Sequence, residues 1–388
     1  MKKRIIALSI LMSMFSTAAH AINVDAESTA VIELSTRQII YGMDCHKHLP
    51  MASTTKIMTA AIALENGNTM DYVNISENAQ NQEGSSIYLR VGDRVTLRDL
   101  LYGLMLNSGN DAAVAIAEHI GGNTEHFVQM MNDKASELGC RDTHFMNPSG
   151  LFDAEHYSSA YDMALIMAYA MENEEFRNII STKEYQIETA GAITYLRNHN
   201  KLLWQYDGCI GGKTGFTKNS GRCLVSCAEK DGIAVAAVTL NDRNDWNDHK
   251  NLFDHAFSMV SQKEILEKND IICTRNICGK RVNLLAGEDF SVAHVSGRNN
   301  RISCKVYINE DISGDIFVGT RVGSAQIYCG KYLLGTIPLV SGQEISNYRK
   351  FFGENFERIL KSALLRQKKG QSLILCNPQN WLQNDNMI

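Results

Sequence analysis

Beyond Lys56, from Ile57 to Leu64, the chain is apolar or small on nearly every face: Ile57, Met58, Ala60, Ala61, Ile62, Ala63 and Leu64 follow one another with few interruptions. A helix that is apolar all round belongs inside a domain. The pattern predicts such a helix starting near Ser53 and closing at Gly67, a residue type common just past a helix C-terminus. Ser53 and Lys56 stand in its first turn, three residues apart and therefore on one face. A hydroxyl and an amine at the buried start of a helix suit a nucleophile and its base. The positive end of the helix dipole would favour an oxyanion there. The plainer alternative is a capping serine beside a lysine that reaches solvent.

The patterning before and after this helix changes in kind. Ala30–Leu34 and Gln38–Tyr41 read as strands joined by a turn at residues 35–37. Thr96 with Asp99 predicts a capped helix whose stripe is Leu97, Leu100, Leu101, Leu104 and Met105, ending at Asn107–Asn110. Helices are predicted over Asp111–Ile120, Phe127–Leu138, from Ser159 to about Met171, and Trp246–Met259. Met167–Ile180 also has helical spacing. Ile187–Leu203 reads as mixed and loop-rich. Gly208–Thr214, Arg222–Ala228 and Ile233–Leu240 are strand-like. Strands first, helices in the middle, then strands and a helix predict a sheet carrying helices, α/β or α+β. From about Gln262 the periodicity shortens. Ser303–Ile308, Ile316–Val318, Ala325–Cys329 and Tyr332–Val340 are β-rich runs set off by Gly, Asn and Asp, which predicts a small all-β domain.

The two ends add compartment. Lys2, Lys3 and Arg4 precede an apolar run from Ile5 to Phe15, then Ala19-His20-Ala21. This is the layout of a secretory signal peptide, too short for a membrane span. Its removal takes the formal charge from −5 to −8, which excludes a generally basic nucleic-acid binder. At the other end, Tyr348, Phe352, Phe356, Ile359, Leu360 and Ala363 recur at helical spacing among Arg349, Lys350, Arg358, Lys361, Arg366, Lys368 and Lys369. A cationic amphipathic helix of this kind can lie in an anionic membrane interface, or pack on the β domain. The expected layout is a signal peptide at 1–21, a main domain at 22–260, a β-rich domain at 261–345, the amphipathic helix at 346–369 and an unassigned tail at 370–388. The ten cysteines form no C-x-x-C or Cys/His metal set and are expected mostly as free, buried thiols; no metal or cofactor is expected.

Three short motifs converge on acyl chemistry. Ser53-Thr54-Thr55-Lys56 is the only S-x-x-K in the chain. Ser108-Gly109-Asn110 lies between two predicted helices, and Lys213-Thr214-Gly215 ends a predicted strand. Each is weak alone; S-x-N also occurs at Ser76-Glu77-Asn78, where Ser76 reads as a helix cap. S-x-x-K, S-x-N and K-T-G in this order are the known signature of penicillin-binding proteins and class A β-lactamases. Lys56 can act as a base only when neutral. A free lysine titrates near ~10.4, so neutrality near pH 7 costs the charged form roughly 4 kcal/mol. Burial and a second cation, Lys213, would supply that.

At these residues the chain resembles the low-molecular-weight penicillin-binding proteins, the serine D-Ala-D-Ala carboxypeptidases of peptidase family S11. Gly84-Ser85-Ser86, Asn147-Pro148 with Gly150-Leu151, Ser159 to Ala164, Asn200 with Leu202-Leu203, and Gly330-Lys331 with Gly335 to Val340 extend the likeness over nearly the whole mature chain. The resemblance implies a penicillin-binding/β-lactamase-like domain, a β-rich domain and a membrane-associating helix. It implies removal of the terminal D-Ala from peptidoglycan pentapeptides, covalent inhibition by β-lactams, and a peripheral place on the outer face of a bacterial cytoplasmic membrane. By the same resemblance Ser53 is the acyl nucleophile, Lys56 its base and Ser108 a proton relay. Asn110 binds the substrate amide. The backbone N–H groups of Ser53 and Phe216 hold the oxyanion. Lys213, Thr214 and Thr217, around Gly215, face the terminal carboxylate. Phe216 stands where some members carry His, and His199 where some carry Arg.

Two other functions fit parts of the sequence. A β-lactamase would use Glu174 and Asn178, whose spacing matches the class A deacylation pair. A wall-binding scaffold with an inert catalytic domain would use the β domain and the basic helix. The intact motifs weigh against the second.

Overall fold

The computed structural model describes residues 22–345 apart from 190–191, 278–279, 300 and 310–314. The expected signal peptide at 1–21, the amphipathic helix at 346–369 and the tail at 370–388 lie outside the described residues. The chain divides at Val260/Ser261 into two units.

In the first unit, β1 (Ser28–Glu33) and β2 (Ile39–Met43) form the opening hairpin. A 3-10 turn, Ala52–Thr55, leads into α1 (Lys56–Asn66). β3 (Tyr72–Asn74), α2 (Glu77–Gln80) and β4 (Arg94–Thr96) follow, then α3 (Leu97–Leu106), α4 (Asn110–Gly121) and α5 (Thr124–Leu138). Next come α6 (Ala160–Ala170), α7 (Glu174–Ser181), β5 (Glu184–Thr189), β6 (Ala192–Arg197) and α8 (Leu202–Gln205). The unit closes with β7 (Cys209–Thr217), β8 (Gly221–Lys230), β9 (Ile233–Leu240) and α9 (Asp245–Met259).

The predicted caps form. Thr96 accepts the Asp99 N–H at 3.1 Å, and Ser76 accepts the Ala79 N–H at 3.0 Å. Two expectations need correction. Met167–Ile180 is not one helix: α6 stops at Ala170, and the Asn173 side chain accepts the Phe176 N–H and starts α7 afresh. Such a side chain competes with the backbone for helical bonds and so restarts a helix. The stretch after Ile187 is not a loop but the β5–β6 hairpin, with Glu184 opposite Arg197. Ile187 and Leu196 point inward while their neighbours Gln186, Glu188 and Tyr195 are exposed. The outward polar half of the alternation hides the strand in the composition.

The main sheet runs β2-β1-β9-β8-β7 with every pairing antiparallel. Its two faces bury different partners. Ala30, Ile32, Val225, Cys227, Ala236 and Val238 join the large core formed with α1, α3, α4 and α6. On the other face α9 packs, and its His249 bonds Ser226 at 2.6 Å and Thr239 at 3.1 Å. α1 is buried from Lys56 through Ala63, as an all-apolar helix should be. Cys223 and Cys227 are buried free thiols in β8; Cys45, Cys209, Cys273 and Cys304 are also free.

The elements among the described residues of the second unit are all strands: β10 (Val260–Leu266), β11 (Ile271–Ile277), β12 (Lys280–Ala286), β13 (Phe290–Val295), β14 (Ile302–Ile308), β15 (Arg321–Cys329) and β16 (Tyr332–Ser341). The sheet order is β11-β12-β16-β15-β14, with β10 and β13 paired apart. Alternate residues Val282, Leu284 and Ala286, with Ile337 and Leu339, make its core. Ile316 to Val318 is not a strand; Ile316 makes a single bridge to Ile345.

Candidate active site

The serine does not begin the long helix. Ala52 has φ of +48°, a left-handed value that costs a non-glycine residue about 1 kcal/mol or more. The chain therefore enters through the 3-10 turn, pinned by the Thr54 hydroxyl donating to Met51 O at 2.7 Å. Neither that turn nor α1 has a side-chain cap, so the capping role for Ser53 is not realised. Two glycines let neighbouring segments close on this turn. A Cβ on Gly150 (φ +86°) would lie 1.9 Å from Ala52 O, and a Cβ on Gly215 would lie 3.0 Å from the Ser53 nitrogen. His156 braces the same turn. Its Nδ1 accepts the Met146 N–H at 2.9 Å, so its Nε2 carries the hydrogen and donates to the Thr55 hydroxyl at 2.8 Å. Burial holds His156 neutral, its pKa lowered to about 4.

Lys56 is fully buried. Its Nζ lies 3.0 Å from Ser53 Oγ, 2.7 Å from Asn110 Oδ1 and 2.5 Å from Ser149 O. Asn110 has a fixed orientation, because its Nδ2 donates to Glu83 O at 2.6 Å. Its oxygen must therefore face Lys56. Both Asn110 Oδ1 and Ser149 O can only accept. A neutral Lys56 gives its two hydrogens to them and turns its lone pair to the one partner that can donate, the Ser53 hydroxyl. The pKa of Lys56 is lowered well below the lysine range, first by burial and then by Lys213, with the Asp111 carboxylate opposing. Asp111 is itself buried and held by the Ser86 hydroxyl and the N–H groups of Ile87 and Leu89. Lys213, also fully buried, donates to Thr214 O at 2.8 Å, and burial lowers its pKa to about 7.

A cleft of about 480 Å³ opens over this arrangement. Ser53, Ser108, Thr214, Gly215 and Phe216 line it. Ser108 reaches it from a left-handed position (φ +63°) in the turn between α3 and α4. Lys56 and Asn110 stand behind Ser53, and Lys213 is buried rather than lining the cleft. Thr217 is apart: its hydroxyl pairs with Ser220 at 2.8 Å in the β7–β8 turn. Glu174 and Asn178 are exposed on α7 and do not line the cleft. Among the described residues, no group of three His, Cys, Asp or Glu side chains could hold a metal ion.

The motifs did not reveal Arg222, Asp245, Trp246 and Lys201, which line the same cleft. Arg222 stands opposite Phe216 across the hairpin. Its Nε and Nη2 donate to the two oxygens of buried Asp245, at 3.0 and 2.5 Å. Its guanidinium also lies 5.6 Å from the Trp246 ring. The hairpin register was the available signal, since the turn from Thr217 to Gly221 sets Arg222 across from Phe216. His199 lines the cleft too, and burial with Lys213 lowers its pKa.

The sequence profile of the D-alanyl-D-alanine carboxypeptidases, peptidase family S11, matches residues 15–244. The chain belongs to this family. It is a serine-type D-alanyl-D-alanine carboxypeptidase with a penicillin-binding fold. The C-terminal domain profile of penicillin-binding protein 5 matches residues 261–347 of the enzyme. Among its relatives, D-alanyl-D-alanine carboxypeptidase DacF of Bacillus subtilis is 33% identical over 336 residues, covering 83% of this chain and 86% of the relative. DacD of Escherichia coli is 30% identical over 381 residues, covering 90% and 97%. The crystal structure of penicillin-binding protein 5 from Haemophilus influenzae superposes with a TM-score of 0.62 at 26% identity, covering 84% of this chain and 98% of that one.

Proposed function

We propose that the carboxypeptidase works through an acyl-Ser53 intermediate, with Lys56 as the base. The supporting observation is the sorting of the three Lys56 contacts, which leaves a neutral amine's lone pair facing only the Ser53 hydroxyl. Ser53 Oγ attacks the carbonyl of the penultimate D-Ala while its proton passes to Lys56. The Ser53 and Phe216 N–H groups receive the oxyanion. The C–N bond then breaks, and the proton held by Lys56 passes through the Ser108 hydroxyl to the departing D-Ala amine. Water hydrolyses the ester with Lys56 again as base. The substrate lies along β7, the edge strand of the sheet, while Asn110 holds Lys56 from behind Ser53. Its terminal carboxylate meets Thr214 at the cleft wall, with the buried Lys213 amine behind it and Thr217 ordering the turn. We add Arg222 to this set, because Asp245 and Trp246 hold its guanidinium at the cleft wall.

Labelling with a fluorescent penicillin followed by peptide mass spectrometry tests the scheme. The label should be on Ser53 and clear slowly, since Glu174 and Asn178 are outside the cleft. Rapid turnover of penicillin would favour a β-lactamase. Labelling elsewhere would overturn the assignment.

The exported, peripheral location and the domain limits belong to the same proposal. The division at Val260/Ser261 supports a catalytic unit ending near residue 260. Among the described residues no helix is long and apolar enough to cross a membrane. The cationic segment 346–369 would then provide surface attachment. Full-length chain should sediment with anionic vesicles, and a chain ending at residue 345 should not.

A further inference from the structure

The second unit carries two large apolar side chains side by side on one tight turn. Phe317 is 58% exposed and Val318 is 66% exposed. The turn is pinned on both sides. The Phe317 N–H donates to the Thr320 hydroxyl at 3.1 Å, and the Thr320 N–H donates to Phe317 O at 3.0 Å. Gly319, at a left-handed φ of +84°, donates to Ser341 O at 2.8 Å. The pair is therefore held outward by its own backbone. Apolar side chains scattered singly over a surface need no explanation. These two are adjacent, and their place in the fold says what they meet.

Ile316, just before Phe317, exchanges both backbone hydrogen bonds with Ile345 at 2.8 Å. Residue 345 is the last before the cationic segment 346–369. The turn thus stands where the chain leaves for the segment that the reading above puts on a membrane surface. The same end of the sheet is basic. β12 begins there: the Asn283 N–H donates to Gln343 Oε1 at 2.6 Å, and the Gly342 N–H to Asn283 O at 2.9 Å. Lys280 and Arg281 start that strand, Arg275 pairs with Val282 from β11, and Arg321 starts β15. All four are exposed, with Asp315 and Glu344 as exposed acids beside them. Affinity for an anionic interface grows with buried apolar area and with the number of cations at the surface, and one weak anchor holds only marginally.

We propose that the Phe317–Val318 turn is a second lipid contact, entering an anionic membrane interface beside segment 346–369 with Lys280, Arg281 and Arg321 against the headgroups. The inference rests on the surface-attachment reading. Two side chains are too few to hold the protein alone, so a chain ending at residue 345 still stays in solution. Once segment 346–369 is attached, the turn is delivered to the surface at high effective concentration. Two contacts then fix which end of the β unit faces the lipid, where a single one would leave it free to swivel.

The test uses the mature chain, residues 22–388, with vesicles of equal parts phosphatidylglycerol and phosphatidylcholine. Phe317→Ser combined with Val318→Ser should weaken partitioning, read by sedimentation, by about fivefold or more. Leu333→Ser is the control: Leu333 is 51% exposed at the other end of β16, and its loss should change partitioning less than about twofold. Phe317→Trp adds an indole to the turn, and lipid with brominated acyl chains should quench that added fluorescence on binding. This readout needs no loss of binding, so it stands even if the double variant misfolds. Equal partitioning of wild type and double variant, or an added indole left unquenched on bound chain, overturns the inference and leaves segment 346–369 as the anchor. An added indole already shielded from acrylamide before vesicles are present also overturns it, since the chain itself then covers the turn. Failure of wild type to bind the vesicles counts against the surface-attachment reading, and the inference falls with it.

Discussion

Lys56 Nζ approaches Ser53 Oγ to 3.0 Å from a position with no exposed surface, while two acceptor-only oxygens, on Asn110 and Ser149, claim its hydrogens. Proton transfer from the serine therefore needs no rearrangement, only loss of the lysine's charge. Arginine cannot make that loss. Lys56→Arg should slow acylation by about 10²- to 10⁴-fold, nearly as much as Lys56→Ala. Stopped-flow acylation by a fluorescent penicillin measures this, and a folded Lys56→Arg chain that acylates normally would refute the role. On the proposed scheme the active form is the neutral amine. The acylation rate should rise with pH through the depressed Lys56 pKa and level off above it.

Arg222 and Asp245 predict a preference for a free C-terminus. Arg222→Ala should lower kcat/KM by about 10- to 100-fold on a peptide ending in a carboxylate, as loss of a charge-assisted bond would. The same peptide ending in an amide should be affected less than threefold. An equal loss on both would mean that Arg222 only braces the hairpin.

The serine turn should be intolerant at Gly150. An alanine Cβ there would overlap Ala52 O and strain a φ of +86°. Gly150→Ala should cost roughly 3 kcal/mol or more and abolish acylation. Gly122→Ala is the comparison: its φ is +76° but nothing lies within 4 Å of the new Cβ. That change should cost only about 1 kcal/mol. Urea midpoints of the two variants should separate clearly; similar midpoints would remove the steric explanation.

Acid should destabilise the first unit through its buried histidines. His156 has a folded pKa of about 4 and His249 of about 3, both lowered by burial. The unfolded chain binds these protons near pH 6.5, before the folded chain does. Stability is therefore full above pH 6.5 and falls as pH drops, through pH 4 for His156 and pH 3 for His249. The His156 part is on the order of 3 kcal/mol. The drop in urea midpoint between pH 7 and pH 4 should shrink in His156→Asn. An unchanged drop in that variant would remove His156 from the account.

What the sequence disclosed and what it withheld divide along chain separation. α1, the Thr96 and Ser76 caps and the strand runs of β7, β8 and β9 were legible because each is set by residues within a few positions. Short motifs singled out Ser53, Lys56, Ser108 and Lys213 as candidates, and the fold sets Ser53 and Ser108 on one cleft with Lys56 against Ser53. Arg222 and Asp245 lie 23 residues apart, and only the β7–β8 register and the entry of α9 bring them to one wall. The left-handed Ala52 was also hidden. Nothing in the residue itself favours that conformation; Gly150 and Gly215, distant in sequence, let segments pack against the turn it makes. The β5–β6 hairpin escaped because half of its alternation faces water.

The shape of β7 has a consequence for solubility. It is the outermost strand of its sheet, and an open edge invites a strand from another molecule. The register of β7 against β8 breaks between Cys209 and Gly211. A bulge twists an edge away from regular pairing. From Gly211 to Thr217 the pairing stays in register, and Lys213 sets a buried amine within that stretch. That is long enough to seat the end of one peptide. The break between Cys209 and Gly211 shortens the run of edge that a strand from another copy could extend.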